Sequence, residues 1–407
     1  MEKNARITFI TTSGLKSTTA QTNRKLAIAS GIVRKQVQCD WILLSPEIDE
    51  AIVRSYASVI RFIGLRGNNA RFALTKCGRA AFFLLGLIRV IKCCSSSKCV
   101  KMDSFMLFGE SFMMLKSLQI ILSMYKVRVY HERGEHPYYN DNVGFFKKIN
   151  IHLYMRYVVP RFTALFVIST ALEEYFAKWI SNYSNHPRVF LLPMLVDLDS
   201  LGDSTMSNGE IQVSIANDTK DIVFVGSLYG DKDGVYDLIK AFSFICDEFP
   251  HSRLILIGDN RDRTRMEKIH LAMKKVPSPD RVVFTGLLSR VEVGEWLRRS
   301  YCLALSRPDN KQARYGFPTK LGEYLASGKP VVVTSVGDIP LYLKDNHDSF
   351  ICHPDDPREF AHKLHMCLSD ELRASSVGDN GYKLAQTIFS PQIGVKVLIN
   401  ELQHDEL

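Results

Sequence analysis

The stretch SRPDNKQARYGFPTKLGEYLASGKPVVVTSVGDIP, residues 306–340, decides the reading of this chain. A strand ends at Ser306, a turn is made by Gly316, Phe317 and Pro318, a helix runs from about Thr319 to a glycine stop at Gly328, and Pro330 opens the next strand. Strand, glycine turn and helix N-terminus in that order make an anion site, because the first amides of the helix have no partner within it and the helix dipole faces the same spot. Lys320 falls in the first helical turn, where the dipole disfavours a cation by roughly a few tenths of a kcal/mol. A phosphate in front of it would account for its place. Glu323, one turn on, offers a carboxylate to a ribose diol. An ordinary amphipathic helix with a surface Lys and Glu has the same spacing, so spacing alone leaves the two readings level.

The same grammar extends on both sides. Upstream, DIVFVG (221–226), RLILIG (253–258), RVVFTG (281–286) and YCLALS (301–306) are short apolar runs separated by helical stretches, and PVVVTS (330–335) continues the series. Runs apolar on both faces and alternating with helices indicate a parallel sheet. Three of these strands end at Gly226, Gly258 and Gly286. Glycine there admits a ligand or a neighbouring backbone at close range, or serves turn geometry alone. Before them, residues 199–220 are polar and rich in Ser, Asp and Asn, as a linker or long loop would be. Earlier still comes a second series: RITFITT (6–12), CDWILL (39–44), DSFMLF (103–108), VRVYH (127–131), TALFVIS (163–169) and RVFLLP (188–193). A helix is expected over 18–35, and Thr170 with Glu173 forms an expected capping box. The fold class is therefore α/β, with two doubly wound domains. Parallel sheets bind ligands at the carboxyl ends of their strands, so a cleft between the two is the expected site.

Length and composition agree. The chain has 407 residues, 46% hydrophobic and 23% charged, which excludes disorder and a disulfide-stapled miniature. The net charge of +9 is uneven: residues 51–102 hold ten Lys or Arg and no Asp or Glu. Within them Arg79, Arg89 and Lys92 flank Phe82, Phe83, Leu84 and Leu85, a mixture suited to an anionic membrane surface or to a core helix with a basic face. The apolar run 80–88 is too short to span a bilayer. No secretory signal is legible, so the nine cysteines are expected reduced, and their spacing fits no usual zinc pattern. The terminal His-Asp-Glu-Leu is read as chance.

The 306–340 stretch resembles the C-terminal signature of retaining nucleotide-sugar glycosyltransferases of the GT-B fold, glycosyltransferase family 4. Tyr315, Gly316, Phe317, Glu323, Ser327, Gly328 and Pro330 match in position, except that Tyr315 stands where the family carries a first glutamate. VGSLYGDKDGVYDLIKAF (225–242) is similar to the family's first C-domain loop and helix. Lys232 matches its lysine, Asp233 is inserted before Gly234, and Ser227 replaces an arginine for which Arg307, Lys311 or Arg314 could compensate. The loop 11–14, with Gly14, lies where the family's first loop approaches the donor phosphates. HERGEHP (131–137) sits at the family's cleft-lining histidine.

The resemblance implies a Rossmann-like acceptor domain over 1–197, a linker over 198–220, a donor domain over 221–385, and a C-terminal helix over 386–407 that packs back on the first domain. It implies no metal and no cofactor beyond the substrate, a UDP- or GDP-sugar. Catalytic candidates are His131, Glu132, Tyr315 and Glu323, with Glu110 and Glu135 behind them. Candidates for the donor nucleotide and diphosphate are Gly14, Gly226, Ser227, Lys232, Gly258, Gly286, Arg307, Gly316, Phe317, Pro318, Thr319, Lys320 and Glu323. The reaction expected is transfer of a hexose to a saccharide or polyprenyl-linked acceptor, in the cytoplasm at the inner membrane face, for capsule, lipopolysaccharide or exopolysaccharide. A nucleotide-sugar epimerase and a non-catalytic nucleotide-sugar or nucleic-acid binder are the alternatives. No nucleic-acid recognition signature supports the last.

Overall fold

A computed structural model describes residues 6–15, 20–63, 75–95, 104–138, 144–184, 186–197, 219–229, 232–262, 264 and 266–403. Most of the polar stretch 199–220, parts of the basic segment 51–102, and the last four residues lie outside them. The chain divides into two compact units, one of residues 1–193 with 391–407, the other of 194–390. The C-terminal residues thus group with the first unit, from Pro391 on.

The first unit is built on seven strands: β1 (Arg6–Thr11), β2 (Gln38–Leu43), β3 (Arg61–Ile63), β4 (Ser104–Phe108), β5 (Arg128–Arg133), β6 (Ala164–Val167) and β7 (Arg188–Leu191). All pair in parallel, in the order β3-β2-β1-β4-β5-β6-β7. Both faces are buried, so strand residues such as Ile7, Phe9 and Ile10 are wholly covered. Phe9 joins the strands edge-on to Trp41 and Phe108, at 5.5 and 5.0 Å. Crossovers in parallel sheets are right-handed, so helices made while the chain moves towards β7 share one face. These are Lys76–Ser95, Phe112–Met124, Phe145–Tyr157 and Thr170–Ile180; Ala20–Arg34 covers the other face.

The second unit has six parallel strands: β8 (Lys220–Val225), β9 (Ser252–Ile257), β10 (Val282–Gly286), β11 (Cys302–Leu305), β12 (Val331–Thr334) and β13 (Phe350–Cys352), in the order β10-β9-β8-β11-β12-β13. β3 and β13 have no counterpart in the sequence reading. Each is three residues long, too short for a periodicity to register. The helix after β6 is also capped differently from the expectation. Ser169, one residue before Thr170, is the N-cap, its side chain accepting from the Leu172 amide. Ser169 takes the extended backbone an N-cap needs (φ −139°, ψ 155°), and Thr170 is already helical.

Candidate functional site

In each sheet the strand order reverses once, between β1 and β4 in the first unit and between β8 and β11 in the second. Ligands of parallel sheets sit beyond the carboxyl ends of the strands at that point.

In the second unit, Gly226 and Ser227 follow β8, and Ser306 and Arg307 follow β11. The two loops are tied together. Gly234 starts the helix Val235–Ile245 in the left-handed region (φ +65°), and its carbonyl accepts from Ser306 Oγ at 2.7 Å. A Cβ there would lie 1.8 Å from the Ser306 carbonyl oxygen, so only glycine fits. Thr334 Oγ1 donates to the Arg307 carbonyl at 2.7 Å and fixes that loop from β12. The helix Thr319–Ala326 is docked by Tyr324, whose buried hydroxyl accepts from the Val225 amide at 2.7 Å.

Lys320 projects from the first turn of that helix to the end of β8. Its Nζ lies where a Cβ on Gly226 would be, 4.8 Å from the Phe224 ring centroid. The anion it meets is a carboxylate: Nζ donates to Asp233 Oδ2 at 2.6 Å, with Asp233 4% exposed. The sequence reading weighs a phosphate against an ordinary surface lysine and considers no carboxylate partner; the structure supplies one. The residue read as an insertion is its partner. Burial works against the charge of Asp233, but Lys320, Arg307 and Lys232 together hold its carboxyl below the ordinary aspartate value. Burial likewise pulls Lys320 down, partly offset by Asp233. Arg307 is buried and Lys232 is exposed beside them. Three cations thus converge on one carboxylate at the reversal point.

Other expected donor contacts are placed differently. The Gly316 amide donates to the Gln312 carbonyl at 3.1 Å, ending the short helix Lys311–Tyr315, and Pro318 has no N–H, so neither amide faces a ligand. Phe317 is buried, its ring against Tyr342 and Phe389 at 5.6 and 5.8 Å; it anchors the turn from below. Tyr315, half-buried, closes the helix before the turn. Thr319 opens the next helix, in whose first turn the Leu321 amide donates to the Pro318 carbonyl at 3.0 Å. Glu323 lies in its second turn, 22% exposed, with Arg290 Nη2 at 3.9 Å from its carboxylate.

The close approach that requires Gly258 is to the neighbouring strand. A Cβ there would be 2.1 Å from the Gly226 carbonyl oxygen. Gly286 has φ +76°, a turn requirement. Ser227 is exposed and bonds within its own turn, accepting from the Tyr229 amide at 3.3 Å. Arg314 is held in a bidentate pair by Asp309, so it is not poised to replace an arginine at position 227.

In the first unit, His131 is corrected most. It is fully buried in β5, stacked on Phe162 at 4.7 Å. Nδ1 lies 2.9 Å from the Leu107 carbonyl, which can only accept, so Nδ1 carries the proton and Nε2 accepts from Tyr154 OH at 2.8 Å. Burial, with the nearby Arg133 charge, lowers its pKa to about 3, which keeps the ring neutral. Both nitrogens are engaged and none is left for a sugar; the residue pins β4 to β5. Glu132 accepts from Arg24 Nε at 2.5 Å, and Arg24 also donates to the Leu192 and Pro193 carbonyls. Glu110 pairs with Arg133 at 3.1 Å, and Arg133 Nε donates to the Glu135 carbonyl. Gly14 lies against the loop after β2, where a Cβ would meet the Glu47 carbonyl oxygen at 2.5 Å.

The residue that sequence reasoning missed is Lys25. It reaches from the helix Ala20–Arg34 to the loop after β1, donating to Ser13 Oγ at 2.9 Å, and burial lowers its pKa to about 8. Its only sequence signal is a Lys on a helix otherwise lined with Leu, Ile and Ala.

Among the described residues no three His, Cys, Asp or Glu side chains are grouped as a metal site, and no helix is long and apolar enough to cross a membrane. The sequence holds two Asp-x-Asp triplets, at 197–199 and 231–233, of which Asp199 and Asp231 lie outside the described residues.

Known proteins share this fold. The chain is similar to a sucrose-phosphate synthase from Thermosynechococcus elongatus (TM-score 0.70, 15% identity, covering 98% of this chain and 99% of that one). It is similar to Anabaena HepE, solved in complex with UDP-glucose (0.67, 13%, 98% and 99%), and to WaaG, a glycosyltransferase involved in lipopolysaccharide biosynthesis (0.63, 14%, 98% and 100%). No curated protein matches it by sequence. The fold is GT-B, and the protein is a glycosyltransferase. Residues 219–370, the heart of the second unit, match the family of glycosyl transferases group 1, in keeping with the family 4 resemblance.

Proposed function

We propose that the protein is a retaining hexosyltransferase that takes its sugar from a UDP- or GDP-sugar and adds it to a lipid-linked saccharide at an anionic membrane surface, in the assembly of a surface polysaccharide. The observation that carries the reading is the convergence of Lys320, Arg307 and Lys232 at the strand-order reversal of the second sheet. Departure of a nucleoside diphosphate concentrates negative charge there, and fixed cations with the first amides of the helix Thr319–Ala326 suit that charge without a metal. Glu323, on the same helix, is one turn further along, in position for the nucleoside ribose. Transfer passes through an oxocarbenium-like state, as in glycoside hydrolysis. HepE, with UDP-glucose, supports a nucleotide-sugar donor; retention rests on the family resemblance.

The test is nucleoside diphosphate release from a panel of UDP-, GDP-, ADP- and dTDP-sugars, with and without membrane lipid extract. Release from one donor, raised by the extract and abolished in Glu323→Ala with an unchanged melting temperature, is the expected result. Full activity of Glu323→Ala and Lys320→Ala sinks the site assignment, and inversion of the anomeric centre in the product sinks retention.

A further inference from the structure

Where β5, β6 and β7 begin, the first unit has a pocket of about 1120 Å³. It lies at the strand ends opposite Lys25 and the loop after β1. Three cations line it, Lys116, Arg156 and Arg161, with His186 beside them, and among the described residues no carboxylate does. Lys116 Nζ and Arg161 Nη1 donate to one acceptor, the Tyr157 carbonyl, at 3.3 and 2.7 Å, so the two charges meet on a single oxygen. Arg156 donates to Tyr183 OH at 3.1 Å and lies over that ring. All of these partners are neutral. Partial burial and the Arg161 charge pull Lys116 below the ordinary lysine value, the sign of a repulsion that an anion between the two would relieve.

The wall holds a second unmet group. Gln119 is 6% exposed; its Nε2 donates to the Val158 carbonyl at 2.9 Å, while Oε1 has no hydrogen-bond partner among the described residues. A buried acceptor without a donor is costly, and a hydroxyl entering the pocket supplies one. The rest of the lining is largely apolar or aromatic, with Val129, Pro160, Phe162 and the Tyr157 and Tyr183 side chains. Such surfaces suit the C–H face of a ring.

We propose that this pocket binds a soluble sugar phosphate, with the phosphate between Lys116 and Arg161, a sugar hydroxyl on Gln119, and the sugar ring against the aromatic wall. Inorganic phosphate answers the cations alone and a neutral sugar answers none of them; the phosphoester answers all three features. The site is distinct from the donor residues of the second unit. Its test needs no turnover, so it stands or falls apart from the proposed reaction.

The test is titration calorimetry of the full chain with glucose 1-phosphate, glucose 6-phosphate, fructose 6-phosphate, inorganic phosphate and glucose at fixed ionic strength. One saturable site is expected for at least one of the sugar phosphates, about tenfold tighter than for inorganic phosphate, with no binding of glucose. Lys116→Gln and Arg161→Gln should each weaken it about tenfold, as loss of a charge-assisted hydrogen bond does. Gln119→Met should narrow the preference for sugar phosphate over phosphate and leave phosphate binding unchanged. Lys232→Ala, in the second unit, should leave the affinity as it is. Matching melting curves check each variant, and if Gln119→Met does not fold, the two cation variants and the ligand ranking decide. No binding of any sugar phosphate, affinity no better than that of inorganic phosphate, unaltered affinity in both cation variants, or loss of it in Lys232→Ala overturns the proposal. So does binding of phosphatidylglycerol vesicles in place of the soluble probes.

Discussion

Lys320 and Asp233 are the residues where charge and burial are most finely set. Removing the ammonium in Lys320→Met takes from a buried carboxylate its hydrogen-bonded counter-ion and leaves only Arg307 and Lys232 to offset the charge, a loss of up to about 3–5 kcal/mol. The pair also has a definite pH signature. The Asp233 carboxyl titrates below its ordinary value, so its contribution to stability is complete above the unfolded aspartate range and fades as pH falls through the folded value. In Lys320→Met that acid-side loss should vanish from thermal melts, and the deficit should be largest at neutral pH. Adding Asp233→Asn should restore the melting temperature without restoring nucleotide binding, since charge-assisted contacts to the diphosphate stay lost. Recovery of both would mean that Lys320 serves the fold alone. The neutral His131 makes a second prediction. Its folded pKa of about 3 lies below the ordinary histidine value, so the unfolded chain takes up a proton first as pH falls. Wild-type stability should decline from about pH 6.5 downward, at up to about 1.4 kcal/mol per pH unit for this one group. His131→Phe, less stable at pH 7, should show a shallower decline over the same range.

Elements are held together here by missing side chains. Gly31 on the helix Ala20–Arg34 faces Pro391, where an added Cβ would be 2.5 Å from a backbone carbonyl oxygen. Gly322 on the helix Thr319–Ala326 faces Met194, where it would meet the sulfur at 2.4 Å and the terminal methyl at 2.7 Å. A methionine side chain can swing aside and a carbonyl cannot. Gly31→Ala should therefore cost about 1–3 kcal/mol and Gly322→Ala visibly less, by urea titration of each variant. Equal costs would show that the backbone at Pro391 yields. Elements were also what the sequence conveyed best. Of the thirteen strands among the described residues, eleven announce themselves as largely apolar runs, because a sheet covered on both faces needs apolar residues throughout. β3 and β13 did not, being three residues each. The turn and helix of 316–326 were legible because glycine, proline and a first-turn lysine are local signals. Asp233 was not, because its partner stands 87 residues away. His131 misled for the related reason that sequence position beside a strand end does not report which way a ring points or what fills both its nitrogens.

On the scale of the molecule, the two units differ in how the chain makes them. Residues 194–390 are one continuous piece, while the first unit is closed by 391–407. Leu398 and Leu402 are buried, Glu401 pairs with Arg188, and Arg128 donates to the Glu401 and Leu402 carbonyls. Deleting 391–407 should therefore lower the stability of the first unit and spare the second. Because a ligand at 100 times its Kd stabilises the state it binds by about 2.7 kcal/mol, the cognate nucleoside diphosphate should still raise one melting transition of the truncated chain. Loss of that response would mean that the donor site depends on the closing segment.

That closing segment has a bearing on biosynthesis. A ribosome delivers the seven strands of the first sheet early, yet the piece that seals them emerges only after the whole of the second unit has been translated. At about 5–20 residues per second the delay is roughly 10–40 s. Through that interval the nascent protein carries an open seam where Leu398 and Leu402 will later lie, and it is then that a chaperone has something to hold.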